Sequence, residues 1–308
     1  MSVDLIIAGD LHADLQTPEC RCDNYLDALC AKVKWIADLQ KKHKCTVVFP
    51  GDLFNRWLVT SELLNPLIEV WPRAAPVLAV PGQHDLPQHS TNEQHRCGYE
   101  TLARMKLIVD LSKGDCFVHK GLAIYGLAWG QEPFEPQHTN SVLIWHKTTW
   151  MNPIKPGDKK NDAERLLKAT KGFDLIVTGD NHQTFNVRLN NRQLINPGSV
   201  MRKRSDQIDF KPCVYLWCKN GDCARLDIPI VKDAVSRAKL EKIKQREERE
   251  NIFVQSLGQW IILPGDTKAT FVPGNSEAVS LSFNENVQCM LKGKSAEVKE
   301  TVLECIGL

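Results

Sequence analysis

Residues 3–12 read VDLIIAGDLH, an apolar run of strand length that stops at Gly9-Asp10-Leu11-His12. Val3 to Ala8 has the content of a buried strand, and the glycine after it lets the backbone turn sharply. The same figure returns along the chain. Thr46 to Phe49 runs into Pro50-Gly51-Asp52, and Val77 to Val80 into Pro81-Gly82-Gln83-His84-Asp85. Val142 to Trp145 runs into His146, and Asp174 to Thr178 into Gly179-Asp180-Asn181-His182. Between the first three runs lie helical patterns. Tyr25 to Lys42 places Leu26, Leu29, Val33, Ile36 and Leu39 on one face, and 61–70 follows with Ser61 as its expected N-cap. This alternation predicts an α/β fold with parallel strands covered by helices. Ligands of such sheets bind just beyond the carboxyl ends of the strands.

Five strands therefore deliver Asp, His or an amide side chain to one edge. A single Asp-His pair after a strand is ordinarily a turn former. Five are not, because turn chemistry takes Asn, Ser and Gly as readily as His. Carboxylates, neutral imidazoles and an amide oxygen, with no thiolate, make a donor set for hard or borderline divalent cations. Two such cations sharing a carboxylate activate a water for in-line attack on phosphorus and offset charge on the phosphoryl oxygens.

These blocks resemble those of the calcineurin-like metallophosphoesterases: D-x-H, G-D, G-N-H-D, a strand-terminal H, and G-H-x-H. Here they read Asp10/His12, Gly51-Asp52, Gly82-Gln83-His84-Asp85, His146 and Gly179-Asp180-Asn181-His182, in order. The resemblance implies a β-sandwich flanked by helices. It implies one metal on Asp10, His12, Asp52 and His182, and a second on Asp52, Gln83, His146 and Asp180. His84, oriented by Asp85, would bind the scissile phosphate and protonate the leaving oxygen. Two positions depart from the family, which has Asn where Gln83 stands and His where Asp180 stands. Both enrich the second site in oxygen, which favours Mn2+ or Mg2+ over zinc.

Within the family the chain is similar to the SbcD-type DNA-repair nucleases, through Gly51-Asp52-Leu53-Phe54 and Leu194-Ile195-Asn196-Pro197-Gly198-Ser199. The second of these also occurs in smaller phosphodiesterases of the same fold. It leads into Arg202-Lys203-Arg204, a basic cluster near the expected metal edge that could grip DNA phosphates. The expected activity is a manganese-dependent DNA exonuclease or endonuclease in repair or recombination. A small-molecule phosphodiesterase or phosphatase, and a non-catalytic scaffold, stay open beside it. The resemblance further implies a separate SMC-like coiled-coil ATPase subunit (SbcC-type) as partner, and is compatible with a homodimer. No G-x-x-x-x-G-K-[ST] loop occurs, so ATP hydrolysis would belong to that other subunit.

The 308 residues suit one large domain, or one large domain and a small one, with a net charge of +2 that by itself announces neither nucleic acid nor membrane. No run approaches a membrane span and the N-terminus has no leader pattern, so a cytoplasmic protein is expected. Eleven cysteines are scattered without a paired C-x-x-C pattern, as in a reducing compartment. Downstream, 117–119 with 122–127, 185–189 with 192–195, and 214–218 with 224–228 read as hairpins around Lys120-Gly121, Asn190-Asn191 and Asn220-Gly221. A charged helical stretch follows at 232–255, then short strands and a final helix at 295–305. Residues 1–230 are expected to form the catalytic domain. Residues 231–308 would form a small α+β capping or partner-binding region.

Overall fold

Leu5, Ile6, Ile7 and Ala8 are all buried because the strand they form is covered on both faces. The computed structural model describes residues 2–114, 116–152, 156–232 and 234–236, with positions 241, 244–246, 248, 249, 291, 298 and 299 beyond them. Along the chain run β1 (Leu5–Ala8), β2 (Thr46–Phe49), β3 (Val77–Ala79), β4 (Val109–Asp110), β5 (Phe117–His119) and β6 (Leu122–Leu127). They are followed by β7 (Ser141–Trp145), β8 (Leu175–Thr178), β9 (Phe185–Leu189), β10 (Arg192–Asn196), β11 (Cys213–Trp217) and β12 (Cys223–Asp227). The helices are α1 (Tyr25–His43), α2 (Ser61–Glu69), α3 (Gly98–Arg104) and α4 (Ala163–Ala169).

The strands make two mixed six-stranded sheets, ordered β12-β11-β1-β2-β3-β4 and β5-β6-β7-β8-β10-β9. Strand alternation divides each apolar run between two cores. Leu5 and Ile7 of β1, Val48 of β2 and Leu78 of β3 face Val142 and Ile144 of β7 and Leu175 and Val177 of β8 in the inter-sheet core. Ile6, Ala8, Val47 and Phe49 turn the other way, onto Leu29, Val33 and Ile36 of α1 and Leu67 of α2. Leu143, Trp145 and Ile176 form a third core with Ala163 and Leu167 of α4. The architecture is therefore an α/β sandwich of two sheets with helices outside.

Helix α1 carries its own punctuation. The Asn24 side chain accepts the Asp27 N–H at 3.2 Å, and basic residues fill the last turn before left-handed Lys44. The N-cap of helix α2 lies one residue earlier than expected: extended Thr60 takes that position and Ser61 is the first helical residue. Three 3-10 turns between 83 and 96, together with α3, cover a stretch in which the sequence announces no element.

By contacts the chain divides into two compact units, Met1–Arg237 and Ala238–Leu308. The described positions of the second unit are helical. Apart from helical positions 298 and 299, the expected final helix at 295–305 lies outside the described residues; of the expected charged helix at 232–255, positions 241, 244–246, 248 and 249 are helical, whereas 232 and 234–236 are not. Among the described residues no helix is long and apolar enough to cross a membrane.

Candidate metal centre

The parallel register of β1, β2 and β3, and of β7 and β8, brings their carboxyl ends to one edge of the sandwich. The loops there are tied to one another. Leu11 and His12 donate their N–H groups to the Asp52 carbonyl at 3.1 and 2.9 Å, and Val200 donates to the Asp10 carbonyl at 3.0 Å. His12, Asp52 and Asp180 all have left-handed backbone, with φ of 45°, 48° and 68°. Residues with a Cβ adopt that region at a cost, and such strain collects at functional sites. Close approach explains Gly82: a Cβ there would run into Asp52 Oδ1.

Three overlapping groups of donor atoms result: Asp10, His12 and His182; His12, Asp52 and His84; and Asp52, His146 and Asp180. His12 Nε2 lies 2.9 Å from His182 Nε2 and 3.8 Å from Asp52 Oδ2. His146 Nε2 lies 3.6 Å from the same Asp52 oxygen and 2.5 Å from Gln83 Oε1. The Gln83 amide nitrogen donates to Asp180 Oδ1, and Thr148 Oγ1 to Asp180 Oδ2. Asp52 thus stands between two clusters, and the His84 ring packs edge-on to His12 with centroids 5.1 Å apart.

Against the models of protein families, residues 4–184 match the calcineurin-like phosphoesterases. The chain belongs to the calcineurin-like phosphoesterase family. Solved structures that match the chain include an archaeal phosphodiesterase at 13% identity, covering 73% of this chain and 99% of that one, with a TM-score of 0.41. Vps29 from Entamoeba histolytica matches at 14% identity over 73% and 99%, with a TM-score of 0.35. A Staphylococcus aureus protein provisionally called a 5′-nucleotidase matches at 13% identity over 79% and 58%, with a TM-score of 0.43. No curated protein matches the chain.

The donor set of this phosphoesterase fits divalent metals. Each of the two central carboxylates has one oxygen held by a backbone N–H and the other bare. Asp10 Oδ2 accepts from Asp180 N and Asp52 Oδ1 from His84 N, both at 3.0 Å. Asp10 Oδ1 and Asp52 Oδ2 are buried without a partner. A buried anionic oxygen left bare is costly unless a cation meets it. The protonation tendencies agree. Burial, then the neighbouring Asp52 and Asp180 charges, push Asp10 well above the carboxylate range. Burial pushes Asp52 up to about 7, against the pull of His84. Burial likewise holds His12 and His146 below the usual histidine value and takes His182 down to about 4. Neutral imidazoles are the ligating form, and a cation would reverse the shift of the carboxylates.

Side chains behind these donors fix their orientation. His146 Nδ1 faces the Pro50 carbonyl at 2.6 Å, which turns Nε2 toward Asp52. Asn196 donates to the Asn181 and Gln183 carbonyls at 2.8 and 3.0 Å, pinning the 179–184 loop.

Of the residues picked out in the sequence, Asp10, His12, Asp52, His146, Asp180 and His182 converge, with Gln83 between His146 and Asp180. Two expectations need correction. Asp85 does not orient His84: its carboxylate accepts the N–H groups of Gly82, Leu53 and Phe54 at 3.0, 3.2 and 2.9 Å. The His84 ring is held instead through Nδ1 by the Asn55 carbonyl at 3.1 Å. The basic cluster also splits. Arg202 is buried and donates to the Ile208 and Val231 carbonyls, both at 2.8 Å, so it presents nothing to a polymer. Lys203 turns toward the centre, with its ammonium 2.5 Å from Asn55 Oδ1. Arg204 is exposed beside Asp206. Asn55 and Thr148 escaped the sequence reading. Asn55 carried a faint signal, three residues beyond Asp52 in the same strand-end loop.

Proposed function

We propose that this metal-dependent phosphoesterase is a two-metal phosphodiesterase that cleaves the DNA backbone with manganese, in the manner of the SbcD-type nucleases. The observation that carries the two-metal reading is the position of Asp52, whose bare Oδ2 lies within 4 Å of an imidazole nitrogen from each cluster. Asp10, His12 and His182 would hold one metal, and Gln83, His146 and Asp180 the other, with Asp52 common to both. Bound there, two divalent metals supply an activated water and offset charge on the phosphoryl oxygens.

The protein's own part is positioning. His84, set by Asn55, is placed to hydrogen-bond the scissile phosphate and pass a proton to the leaving oxygen. Lys203 adds positive charge beside Asn55, where a phosphate would draw it. The DNA reading draws support from Lys203 and Arg204 at the rim and from the sequence likeness in the 51–54 and 194–199 segments. The separate coiled-coil ATPase partner belongs to the same reading.

A second reading, a phosphodiesterase for small molecules, is favoured by the burial of Arg202, which removes one cation from the expected DNA ridge. The experiment is cleavage of linear and circular DNA with manganese, magnesium or zinc, alongside an Asp52→Ala control. Manganese-dependent cutting lost in the control supports the nuclease. Hydrolysis of a generic phosphodiester with intact DNA favours the second reading.

A further inference from the structure

Directly behind the 199–203 segment lies a cavity with about 270 Å³ of open space. Arg21, Lys32 and Arg202 contribute three basic side chains to its lining, against the single carboxylate of Asp23. All three basic residues are buried. Arg21 grips both Asp23 oxygens, at 2.8 and 2.5 Å. Arg202 spends two of its nitrogens on backbone carbonyls, which use two of its N–H groups and leave the charge in place. Lys32 projects from α1 and donates to the Val200 carbonyl at 2.6 Å. That is its one hydrogen bond among the described residues, although an ammonium has three donors. Burial, reinforced by Arg21 and Arg202, lowers the Lys32 amine to about 7. The rest of the wall is apolar, with half-buried Trp35 on one side and exposed Ile230 and Val231 at the rim.

We infer that this cavity is a binding site for a small organic anion, its acidic head against the Lys32 ammonium and its apolar body along Trp35 and Ile230. Such a ligand answers both halves of the wall. An acidic head adds to the counter-charge of the one lining carboxylate, Asp23, which acts on both Lys32 and Arg202 but is itself gripped by Arg21, and an apolar body covers the rim. The site is separate from the metal centre but adjoins it. Val200 presents its carbonyl to Lys32 and its N–H to the Asp10 carbonyl, so one residue separates the two.

A carboxylate or a phosphate could be the head, and two probes distinguish them: benzoate and benzylphosphonate, titrated calorimetrically into the full-length chain. The expected result is one binding event per chain that weakens about tenfold or more in Lys32→Met, as expected when a buried charge pair loses a partner. That event survives removal of metal by a chelator, whereas phosphonate held at the metal centre does not. Preference for benzoate assigns a carboxylate ligand, and preference for the phosphonate a phosphate ester. Ala31→Trp tests the cavity without touching its charges, since Ala31 is exposed on α1 and also lines the space. It should block the same event. Failure of both probes to give an event sensitive to Lys32→Met overturns the proposal, and so does an event that persists in Ala31→Trp.

Discussion

His12 and His182 face each other nitrogen to nitrogen, 2.9 Å apart, although 170 residues separate them. Two imidazoles at that distance share one proton or one ligand between them. Burial and the nearby Lys203 charge disfavour the protonated form of both, so the pair is poised to ligate. His182→Ala should therefore lower metal content at the site shared with Asp10, measured by elemental analysis of the purified chain, while the fold remains.

Acid-base behaviour should report the metals directly. In the metal-stripped protein Asp52 keeps its proton up to about 7, against an ordinary value of 3.8. Below the ordinary value the folded and unfolded chains are both protonated and the favourable contribution is complete. As pH rises toward 7 the unfolded chain releases this proton and the folded chain retains it, so stability falls through that window. Asp85, also raised to about 7, acts in the same direction. Divalent metal holds Asp52 ionised and removes its share of the loss. The difference in Tm between metal-loaded and chelated protein should widen from about pH 5 to about pH 8. A gap independent of pH would contradict the assignment.

Removing the His84 ring should separate chemistry from metal binding. His84→Ala is expected to keep its metal and lose about 100-fold or more in kcat, the range for a positioned general acid. Elemental analysis beside steady-state hydrolysis checks this. Equal loss of metal would make His84 a ligand instead.

Asp85 should behave as a structural residue. Asp85→Ala leaves the N–H groups of Gly82, Leu53 and Phe54 without their acceptor, a cost of about 3 kcal/mol or more by denaturant unfolding. Asp85→Asn, which keeps one acceptor oxygen, should lose less. Equal loss in the two variants would show that the carboxylate charge matters more than its hydrogen bonds.

The three basic residues after Met201 should part company. Arg202→Met should lower stability by breaking bonds to two carbonyls. Arg204→Ala should leave stability within about 0.5 kcal/mol of the parent, as exposed substitutions do. On the nuclease reading, Arg204→Ala should also reduce the salt dependence of DNA binding, measured by titrations at several salt concentrations.

The strands and the metal edge were legible in the sequence because their signals are local. A run such as Leu5 to Ala8 is apolar throughout because both faces are buried, and the polar residues begin where the strand ends. Asp10, Asp52 and Asp180 could be found without contacts, since the shared strand direction brings them to one edge. What was not legible depends on side-chain direction. Arg202, Lys203 and Arg204 are identical in kind along the chain, yet one is buried, one turns inward and one faces solvent. Asp85 next to His84 suggested a pair, but the 3-10 turn at Gln83–Asp85 sends the carboxylate to the backbone of the 51–54 loop. The cavity at Lys32 joins positions near 21, 32, 202 and 230, and no local pattern announces it.

The central claim is that Asp52 joins two metals, and manganese titration of the metal-depleted chain tests it most directly. Two equivalents bound per chain, with both sites weakened in Asp52→Ala, is the predicted result. A single equivalent, or two that survive Asp52→Ala unchanged, would contradict it.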